Sequence, residues 1–399
     1  MKNEAASRIQ DYLAFGEFGG VNPSIEDTST FTFLSVDKMQ ELFEHEVEGC
    51  FLYSRHLNPT NHYLGSALAL MENTEYAQTT ASGMSAITST IMQICQSGDE
   101  IVSSRTVYGG TYAFLKNLLP KFGVKTHFVD ITNLDAIKSQ INDKTKMIYC
   151  EAVSNPLLEI ADLKELRKIC DQHNLKLVVD NTFSPLVVTP TDFGADIVIH
   201  SLTKYINGSS DCVAGVICAD RDFILSLRSV YDGAAMLLGP VLDSIRAASI
   251  FKNLRTLHVR MKQHSSNAMF IAEKLEGLGL KVFYPGLKSH PQHALANEMF
   301  NLEFGYSSIL AFDVGSAEKA DKLMMKMQEE LVGYFAVSLG FYKTLFSSPG
   351  HSTSSEIPEE EQKKMGMSPG LVRMSIGLDD DIERSFKRIE KSLKDTNIL

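Results

Sequence analysis

Between about residues 76 and 220, apolar positions follow two patterns that alternate along the chain. Short continuous apolar runs predict strands at 100–103, 126–129, 147–150, 177–179, 197–199 and 213–218. Apolar positions at helical spacing predict helices around 84–94, 111–119, 133–141 and 163–173. Because the strands are apolar throughout and alternate with helices, we expect an α/β fold whose central sheet is mostly parallel and covered on both faces.

The second half of the chain predicts a smaller C-terminal α/β domain. Residues 242–281 predict one or more helices, including a long one that leads into it. The domain itself has apolar segments at 310–314, 335–340 and 371–377, a helix at 317–331 and a charged helix at 380–394. The first 55 residues have weak periodicity and resemble an arm. Since 399 residues exceed one ordinary core, we expect an arm (1–57), a larger domain (58–257) and a C-terminal domain (258–399).

Composition restricts the partners. A formal net charge of −11 argues against nucleic acid or an anionic membrane as the main partner. No apolar run approaches the roughly 20 residues of a membrane helix. The N-terminus mixes both charges early and has no apolar signal core, so we expect a cytoplasmic protein. The six cysteines lack C-x-x-C spacing and do not cluster with histidine, which predicts free thiols and no metal site.

Candidate chemistry concentrates where two neighbouring strands are predicted to end. Asp180 ends one apolar run, and Lys204 comes just after another. Ligands bind at the carboxyl ends of the strands in sheets of this kind. A buried lysine there suits a Schiff base, and a carboxylate at the neighbouring strand end suits a pyridinium nitrogen. Together these residues indicate an enzyme that uses pyridoxal 5′-phosphate (PLP).

A phosphate site is predicted at the start of the helix at 84–94. Ser82 is suited to cap that helix, and Gly83 allows main-chain amides to approach an anion closely. Alone, this pattern describes any capped helix. Together with Lys204 and Asp180 it indicates a phosphate site, because PLP needs all three groups. The hydroxyls of Ser201 and Thr203 can also reach a phosphate or orient the lysine amine.

Three further residues have open interpretations. Tyr108 follows a predicted strand, so its ring either lies near a cofactor or packs in the core. Arg373 lies within an apolar strand and needs an anionic partner, which is either a substrate carboxylate or an internal salt bridge. We expect His200 to be structural.

These motifs, taken in order, resemble the PLP-dependent enzymes of cysteine and methionine metabolism, the family that includes cystathionine γ-synthase. The resemblance covers roughly residues 45 to 390 and implies PLP fold type I, the aspartate-aminotransferase fold. The matching segments are Tyr53–Arg55, Ser82–Met84, Val107–Thr111, Glu151–Pro156, Val179–Phe183, Ser201–Lys204, Ser338–Gly340 and Leu371–Gly377.

Within the family, several segments look most like a methionine γ-lyase branch. The segments are 236–240, 284–287, 289–293 and 352–356. This resemblance implies α,γ-elimination of L-methionine, or of a close sulfur amino acid, to a thiol, ammonia and 2-oxobutyrate. The alternative is a cystathionine γ-lyase or a γ-replacement enzyme, such as a cystathionine γ-synthase or an O-acetylhomoserine sulfhydrylase.

The family also implies roles for individual residues. It implies a homotetramer, built as a dimer of dimers, in which Tyr53 and Arg55 reach the phosphate of a neighbouring subunit. Ser82, Gly83, Met84, Ser201 and Thr203 would bind the phosphate end of the cofactor, and Asp180 its ring nitrogen. Lys204 and Tyr108 would be catalytic, with Tyr108 stacked on the ring and acting as an acid toward the leaving group. Asn155, Ser338 and Arg373 would hold the substrate carboxylate, and Val337 would contact the thioether end.

The sequence departs from the family in three respects. Acidic residues near the cofactor ring of the bacterial enzymes have no clear match around residues 231–246. Gly110 stands where well-studied bacterial methionine γ-lyases have a cysteine, and Lys343 stands where most members have a glutamate. These differences bear on the substrate more than on the chemistry.

The sequence disfavours two other classes of protein. A PLP carrier without turnover is disfavoured because Tyr108, Lys204 and Arg373 are present together. A dinucleotide-binding dehydrogenase is disfavoured because no G-x-G-x-x-G follows the first strand.

Overall fold

The computed structural model describes residues 4–44, 46–47, 49–352 and 356–399, and the strands in these ranges form two sheets. The strands are β1 (Tyr76–Thr80), β2 (Glu100–Ser104), β3 (Lys125–Val129), β4 (Thr145–Glu151), β5 (Lys176–Asp180), β6 (Ile197–Ser201), β7 (Gly215–Ala219), β8 (Lys281–Phe283), β9 (Ile309–Asp313), β10 (Gly333–Phe335), β11 (Thr344–Ser347) and β12 (Leu371–Ser375).

Helices cover both sheets. They are α1 (Ala5–Asp11), α2 (Val36–Glu44), α3 (Pro59–Met71), α4 (Gly83–Ile94), α5 (Gly109–Ala113), α6 (Leu134–Gln140), α7 (Leu163–His173), α8 (Arg221–Arg228), α9 (Ala234–Leu238), α10 (Ser244–Leu254), α11 (Leu257–Gly277), α12 (His293–Met299), α13 (Ala317–Glu329), α14 (Glu359–Lys364) and α15 (Ile382–Asp395).

The first sheet is mostly parallel, as predicted, and has the order β1-β7-β6-β5-β4-β2-β3. Only β7 runs against its neighbours, pairing antiparallel with both β1 and β6. Successive residues of the middle strands belong to different cores: Met147 and Tyr149 pack on one face of β4, and Ile148 and Cys150 on the other. Burial on both faces explains why these strands are continuous apolar runs.

The second sheet has the order β10-β11-β12-β9-β8, with β10 and β11 parallel and the other pairs antiparallel. Strand β10 ends at Phe335, so only the start of the apolar segment 335–340 is strand. The following residues leave the sheet and bring Val337 and Ser338 toward the first sheet. The predicted α/β fold is therefore confirmed, with a mostly parallel central sheet and a second, smaller sheet.

The predicted helices and strands between residues 84 and 219 are found close to their expected bounds. The sequence interpretation left α3 and β1 unassigned. The predicted helix at 111–119 is a short helix, α5, followed by a wider turn at Phe114–Leu118 and a tighter one at Leu119–Phe122. We retain the division at residues 57 and 257 as a proposal, since the two sheets occupy separate stretches of the chain.

None of the helices in the described ranges is long and apolar enough to cross a membrane.

A buried polar cluster fixes the ends of β5 and β6 to α3. Glu72, just after α3, contacts Nε2 of His200 at 2.7 Å and accepts a hydrogen bond from Nδ2 of Asn181 at 3.2 Å. His200 immediately precedes Ser201 in β6, and Asn181 immediately follows Asp180. His200 therefore has the structural role that we expected, because it belongs to a buried cluster that connects the ends of β5 and β6 to the end of α3.

We predict that Glu72→Ala destabilises the fold strongly, because it leaves His200 and Asn181 buried without their shared partner. Leaving a buried polar group without its hydrogen-bond partner costs about 1–3 kcal/mol for each group. Glu75→Ala is the matched control: Glu75 is exposed and accepts one main-chain bond from Arg221, so its loss should cost less than about 1 kcal/mol. Urea unfolding at one fixed protein concentration measures both. Equal losses would contradict the assigned role of the cluster.

Candidate active site

A cavity of about 420 Å³ lies at the carboxyl ends of the first sheet, where the second sheet meets it. Parallel strands bring their ends to one edge, so Glu151, Asp180 and Ser201 end β4, β5 and β6 side by side. The residues predicted from the sequence that line the cavity are Ser82, Gly83, Met84, Tyr108, Asn155, Asp180, Ser201, Thr203, Lys204, Val337, Ser338 and Arg373. The volume suits a small ligand together with a cofactor.

Lys204 extends into this cavity with an uncommonly acidic amine. Its Nζ donates a hydrogen bond to Oγ of Ser338 at 2.9 Å, and no carboxylate in the described part of the chain pairs with it. Burial, and then the nearby positive charge of Arg373, lower the pKa of Lys204 from 10.5 to about 8. The fraction of neutral, nucleophilic amine at neutral pH therefore rises roughly 300-fold over an exposed lysine.

Two segments of the chain hold the main chain around Lys204. Arg260 in α11 donates hydrogen bonds to the carbonyls of Tyr205 and Ile206. The hydroxyl of Tyr205 bonds the side chain of Ser308 at 2.5 Å. Lys204 therefore extends from a main chain that is fixed on the side facing the second sheet.

Arg373, on β12, is 3% exposed and lies beside Lys204. Its Nη1 donates to Oδ1 of Asn155 at 3.1 Å, and its Nη2 donates to the carbonyl of Ser338 at 3.1 Å. Its Nε has no hydrogen-bond partner among the described residues, and no ion pair in those ranges includes it. Of the two interpretations left open by the sequence, an internal salt bridge is thus not found there, and the guanidinium can still bind an anion.

Asp180 provides the opposite charge. The side chain is buried, and Oδ1 accepts a hydrogen bond from the amide of Thr182 at 2.9 Å. Burial raises the pKa of Asp180 above its usual range. A buried carboxylate in this position is stabilised by a cation such as a protonated ring nitrogen.

The other end of the cavity suits a phosphate. Ser82 caps α4 by a reciprocal arrangement with Ser85, and the amides of Gly83 and Met84 begin a helix in which they have no carbonyl to bond. A Cβ on Gly83 would lie 2.7 Å from Cβ of Ser201, so glycine lets α4 start against the end of β6. Thr203 lines the cavity, but its hydroxyl accepts from the amide of Ala214 at 3.0 Å.

These donors and acceptors fit PLP. The cavity offers a carboxylate for the ring nitrogen, a helix start with neighbouring hydroxyls for the phosphate, and an easily deprotonated amine for the aldehyde.

Tyr108 lies at the rim, with 44% of its surface exposed. It directly precedes α5, and its amide donates to Oε1 of Glu151 at 2.6 Å. A Cβ on Gly110 would lie 2.6 Å from Cε1 of the Tyr108 ring. The glycine found here in place of the bacterial cysteine therefore makes room for the ring in this position.

Tyr53 and Arg55 are not brought into the cavity of their own chain. Nη1 of Arg55 donates to the carbonyl of Met236 at 2.9 Å, and its guanidinium carbon lies 5.8 Å from the centre of the Tyr53 ring. A separate open groove of about 760 Å³ adjoins the cavity and shares Thr203, Val337 and Ser338 with it.

The sequence interpretation missed several cavity residues. Glu151 was recognised only as part of a motif, although it ends a buried strand just as Asp180 does. Thr182 is a second omission, since its hydroxyl accepts from the amide of Ser201 at 2.8 Å. Glu356 also lines the cavity, whereas residues 353–355 of the branch motif 352–356 lie outside the described residues.

Comparison with known proteins agrees with this arrangement. Residues 9–392 match the model of the family described as Cys/Met metabolism PLP-dependent enzyme. A methionine gamma-lyase from Arabidopsis thaliana is 42% identical over 384 residues, covering 95% of this chain and 87% of the relative. A cystathionine gamma-lyase from Dictyostelium discoideum is 38% identical over 334 residues, covering 82% and 83%.

A crystal structure from Campylobacter jejuni, described as an O-acetylhomoserine (thiol)-lyase, superposes with a TM-score of 0.91 at 27% identity. The match covers 98% of this chain and 99% of that one, which carries N′-pyridoxyl-lysine-5′-monophosphate. Family, fold and cavity thus agree, and the chain belongs to the PLP-dependent enzymes of cysteine and methionine metabolism, with PLP fold type I.

Proposed function

We propose that this enzyme is a carbon–sulfur lyase that converts L-methionine, or a close sulfur amino acid, to a thiol, ammonia and 2-oxobutyrate by α,γ-elimination. The observation that carries the proposal is the environment of Arg373. A buried guanidinium with an unpartnered Nε, next to an amine that is readily neutral, suits the carboxylate and amino group of an α-amino acid. The identity with the Arabidopsis relative supports methionine as the substrate.

The residues of the cavity divide the work. Arg373, Asn155 and Ser338 would hold the substrate carboxylate. Asp180 would hold the ring nitrogen of PLP, and Ser82, Gly83, Met84, Ser201 and Thr203 would surround its phosphate. Bound PLP supplies an electron sink for the electrons released at the α-carbon. The amine of Lys204 would accept the α-proton of the substrate and later a β-proton.

The leaving sulfur needs a proton. The phenol of Tyr108 lies at the rim of the cavity and can donate one. A positioned general acid contributes about 10²–10⁴ in rate. Tyr108 is therefore proposed as the acid, in addition to stacking on the cofactor ring.

The alternative is that cystathionine is the preferred substrate, or that the enzyme performs γ-replacement. One observation favours it: Glu356 lines the cavity and could pair with a distal ammonium group. Against it, Val337 lines the same cavity with 58% of its surface exposed and gives an apolar surface for a thioether methyl. Lys343 lies with Nζ 5.7 Å from the centre of the Tyr334 ring, on the side of the open groove.

We also propose a homotetramer, a dimer of dimers, in which Tyr53 and Arg55 complete the site of a neighbouring subunit. Three observations support it: Arg55 stays outside its own cavity, the open groove adjoins that cavity, and large apolar side chains are exposed. Among the most exposed are Phe18, Val21, Leu34 and Tyr231. The six cysteines are free thiols, which fits the proposed cytoplasmic location.

The choice between methionine and cystathionine tests the proposed function. Wild-type enzyme should have a higher kcat/KM for methionine than for cystathionine, measured by 2-oxobutyrate release with and without added thiol. Burying an unpaired ammonium against Val337 would cost several kcal/mol, whereas losing one methyl contact costs about 1 kcal/mol. Val337→Glu should therefore narrow or reverse the ratio, and the uncharged control Val337→Gln should not.

Faster turnover of cystathionine by the wild-type enzyme would contradict the proposal that Val337 favours methionine. Loss of that preference in Glu356→Gln would then establish the alternative function.

The second prediction concerns the shared site. Arg55→Ala and Lys204→Ala should each be inactive alone, yet hybrid oligomers of the two, purified through different tags, should recover about half of the sites in each mixed dimer. Hybrids of Lys204→Ala with Asp180→Ala are the control, because both residues line the cavity of one chain and no complete site can form. Hybrids that are demonstrably mixed and remain inactive would contradict the exchange of Arg55 between subunits.

A further inference from the structure

Glu151 ends β4 inside the cavity and is buried. Both of its carboxylate oxygens accept main-chain hydrogen bonds. Oε1 accepts from the amide of Tyr108 at 2.6 Å, and Oε2 accepts from the amide of Asn155 at 2.9 Å. The two amides belong to separate segments of the chain, one after β2 and one after β4. A single side chain therefore joins them.

Burying this carboxylate is costly. Burial, and then the adjacent charge of Asp180, raise the pKa of Glu151 well above its usual range. The two residues are direct partners in the register of β4 and β5. An apolar residue would avoid the repulsion but would leave two amides without acceptors. A carboxylate is the side chain that offers two acceptor oxygens to two separate amides.

The two segments held by Glu151 carry the groups that would act on opposite ends of the substrate. The Tyr108 phenol lies at the rim, where the sulfur would depart, and the Tyr108 ring is largely exposed. Helix α5, which begins just after Tyr108, is only five residues long. Oδ1 of Asn155 accepts from Arg373, which would bind the carboxylate end.

We propose that Glu151 is a positioning residue that fixes Tyr108 and Asn155 relative to each other by holding both main chains through one carboxylate. This rests on the proposed function for the roles of Tyr108 and Asn155. The connection between the two segments rests on the two hydrogen bonds that Glu151 accepts and does not depend on the proposed function. The test therefore has one part that requires turnover and one that does not.

The first part is hydrogen exchange by mass spectrometry on Glu151→Gln, with and without PLP. Glutamine keeps the size of the side chain but replaces one acceptor oxygen with an NH₂ group, which faces a main-chain amide as a second donor. Exchange should become at least about tenfold faster in 105–113 or 152–158 and stay unchanged in the strands. Unchanged exchange in both segments would overturn the proposal.

Glu159→Gln is the matched control. Glu159 lies eight residues further along, and Oε2 accepts a hydrogen bond from Oγ1 of Thr106 at 2.7 Å. Glutamine can accept the same bond, and Glu159 is not among the cavity residues. Exchange and turnover should stay within about twofold of wild type. Equal effects in both variants would reduce Glu151 to a general structural residue and overturn the proposal.

The second part compares leaving groups. For Glu151→Gln, kcat with methionine should fall roughly 100-fold, because a displaced Tyr108 protonates the departing thiolate poorly. An S-aryl homocysteine releases an aryl thiolate that needs no proton, so its kcat should fall less than about fivefold. A displaced Asn155 would raise KM for both substrates to a similar extent. Equal losses of kcat with both substrates would overturn the proposal.

A double-mutant cycle tests whether Glu151 acts through Tyr108. If Glu151 acts through Tyr108, adding Glu151→Gln to Tyr108→Phe should lower kcat with methionine by less than about threefold. Full additivity would overturn the proposal. If Glu151→Gln does not fold, Glu151→Asp keeps the charge, moves both oxygens back by one methylene and takes the same tests. If wild type processes neither substrate, the proposed function fails, and hydrogen exchange still decides whether Glu151 holds the two segments.

Discussion

Two basic side chains, the partly buried Lys204 and the buried Arg373, both contact Ser338, and no carboxylate of the described chain is bonded to either. Such a pair is unfavourable, because each charge loses its water and repels the other. The protein accommodates it with neutral partners: the hydroxyl of Ser338 for the amine, and an amide oxygen and a carbonyl for the guanidinium. The pair then does two things at once. Lys204 releases its proton readily, and Arg373 keeps a strong preference for an anion.

The two sheets share this task. The first sheet ends in Glu151, Asp180 and Ser201, so carboxylates and the lysine segment meet along one edge. The second sheet supplies Arg373 from β12, and the segment after β10 supplies Ser338, whose φ of 116° is rare for a residue other than glycine. Behind the edge, Glu72 ties Asn181 and His200 to α3. The edge that carries Asp180 and the lysine segment therefore comes from one sheet, and the buried guanidinium comes from the other.

Much of this arrangement follows from the sequence, because a charged side chain at the end of a predicted buried strand has few interpretations. Asp180 and Lys204 are predicted in this way, and Glu151 has the equivalent position at the end of β4. The direction of β7 could not be predicted, since an apolar run has no direction. The hydroxyl of Thr203 bonds Ala214, a contact between segments eleven residues apart that no local pattern indicates. Tyr53 and Arg55 needed the family resemblance, because nothing in one chain connects them with Lys204.

Lys204 must lose its proton far more readily than an ordinary lysine, and the reaction of cofactor-free enzyme with PLP measures this directly. The rate of attachment is followed from about pH 6 to 11, with borohydride trapping and peptide mass spectrometry to locate the modified lysine. The neutral amine is the reactive form, so the rate should rise with pH. Its midpoint should lie near 8 at Lys204, against about 10.5 for an exposed lysine. A midpoint near 10.5, or attachment mainly at another lysine, would contradict the account.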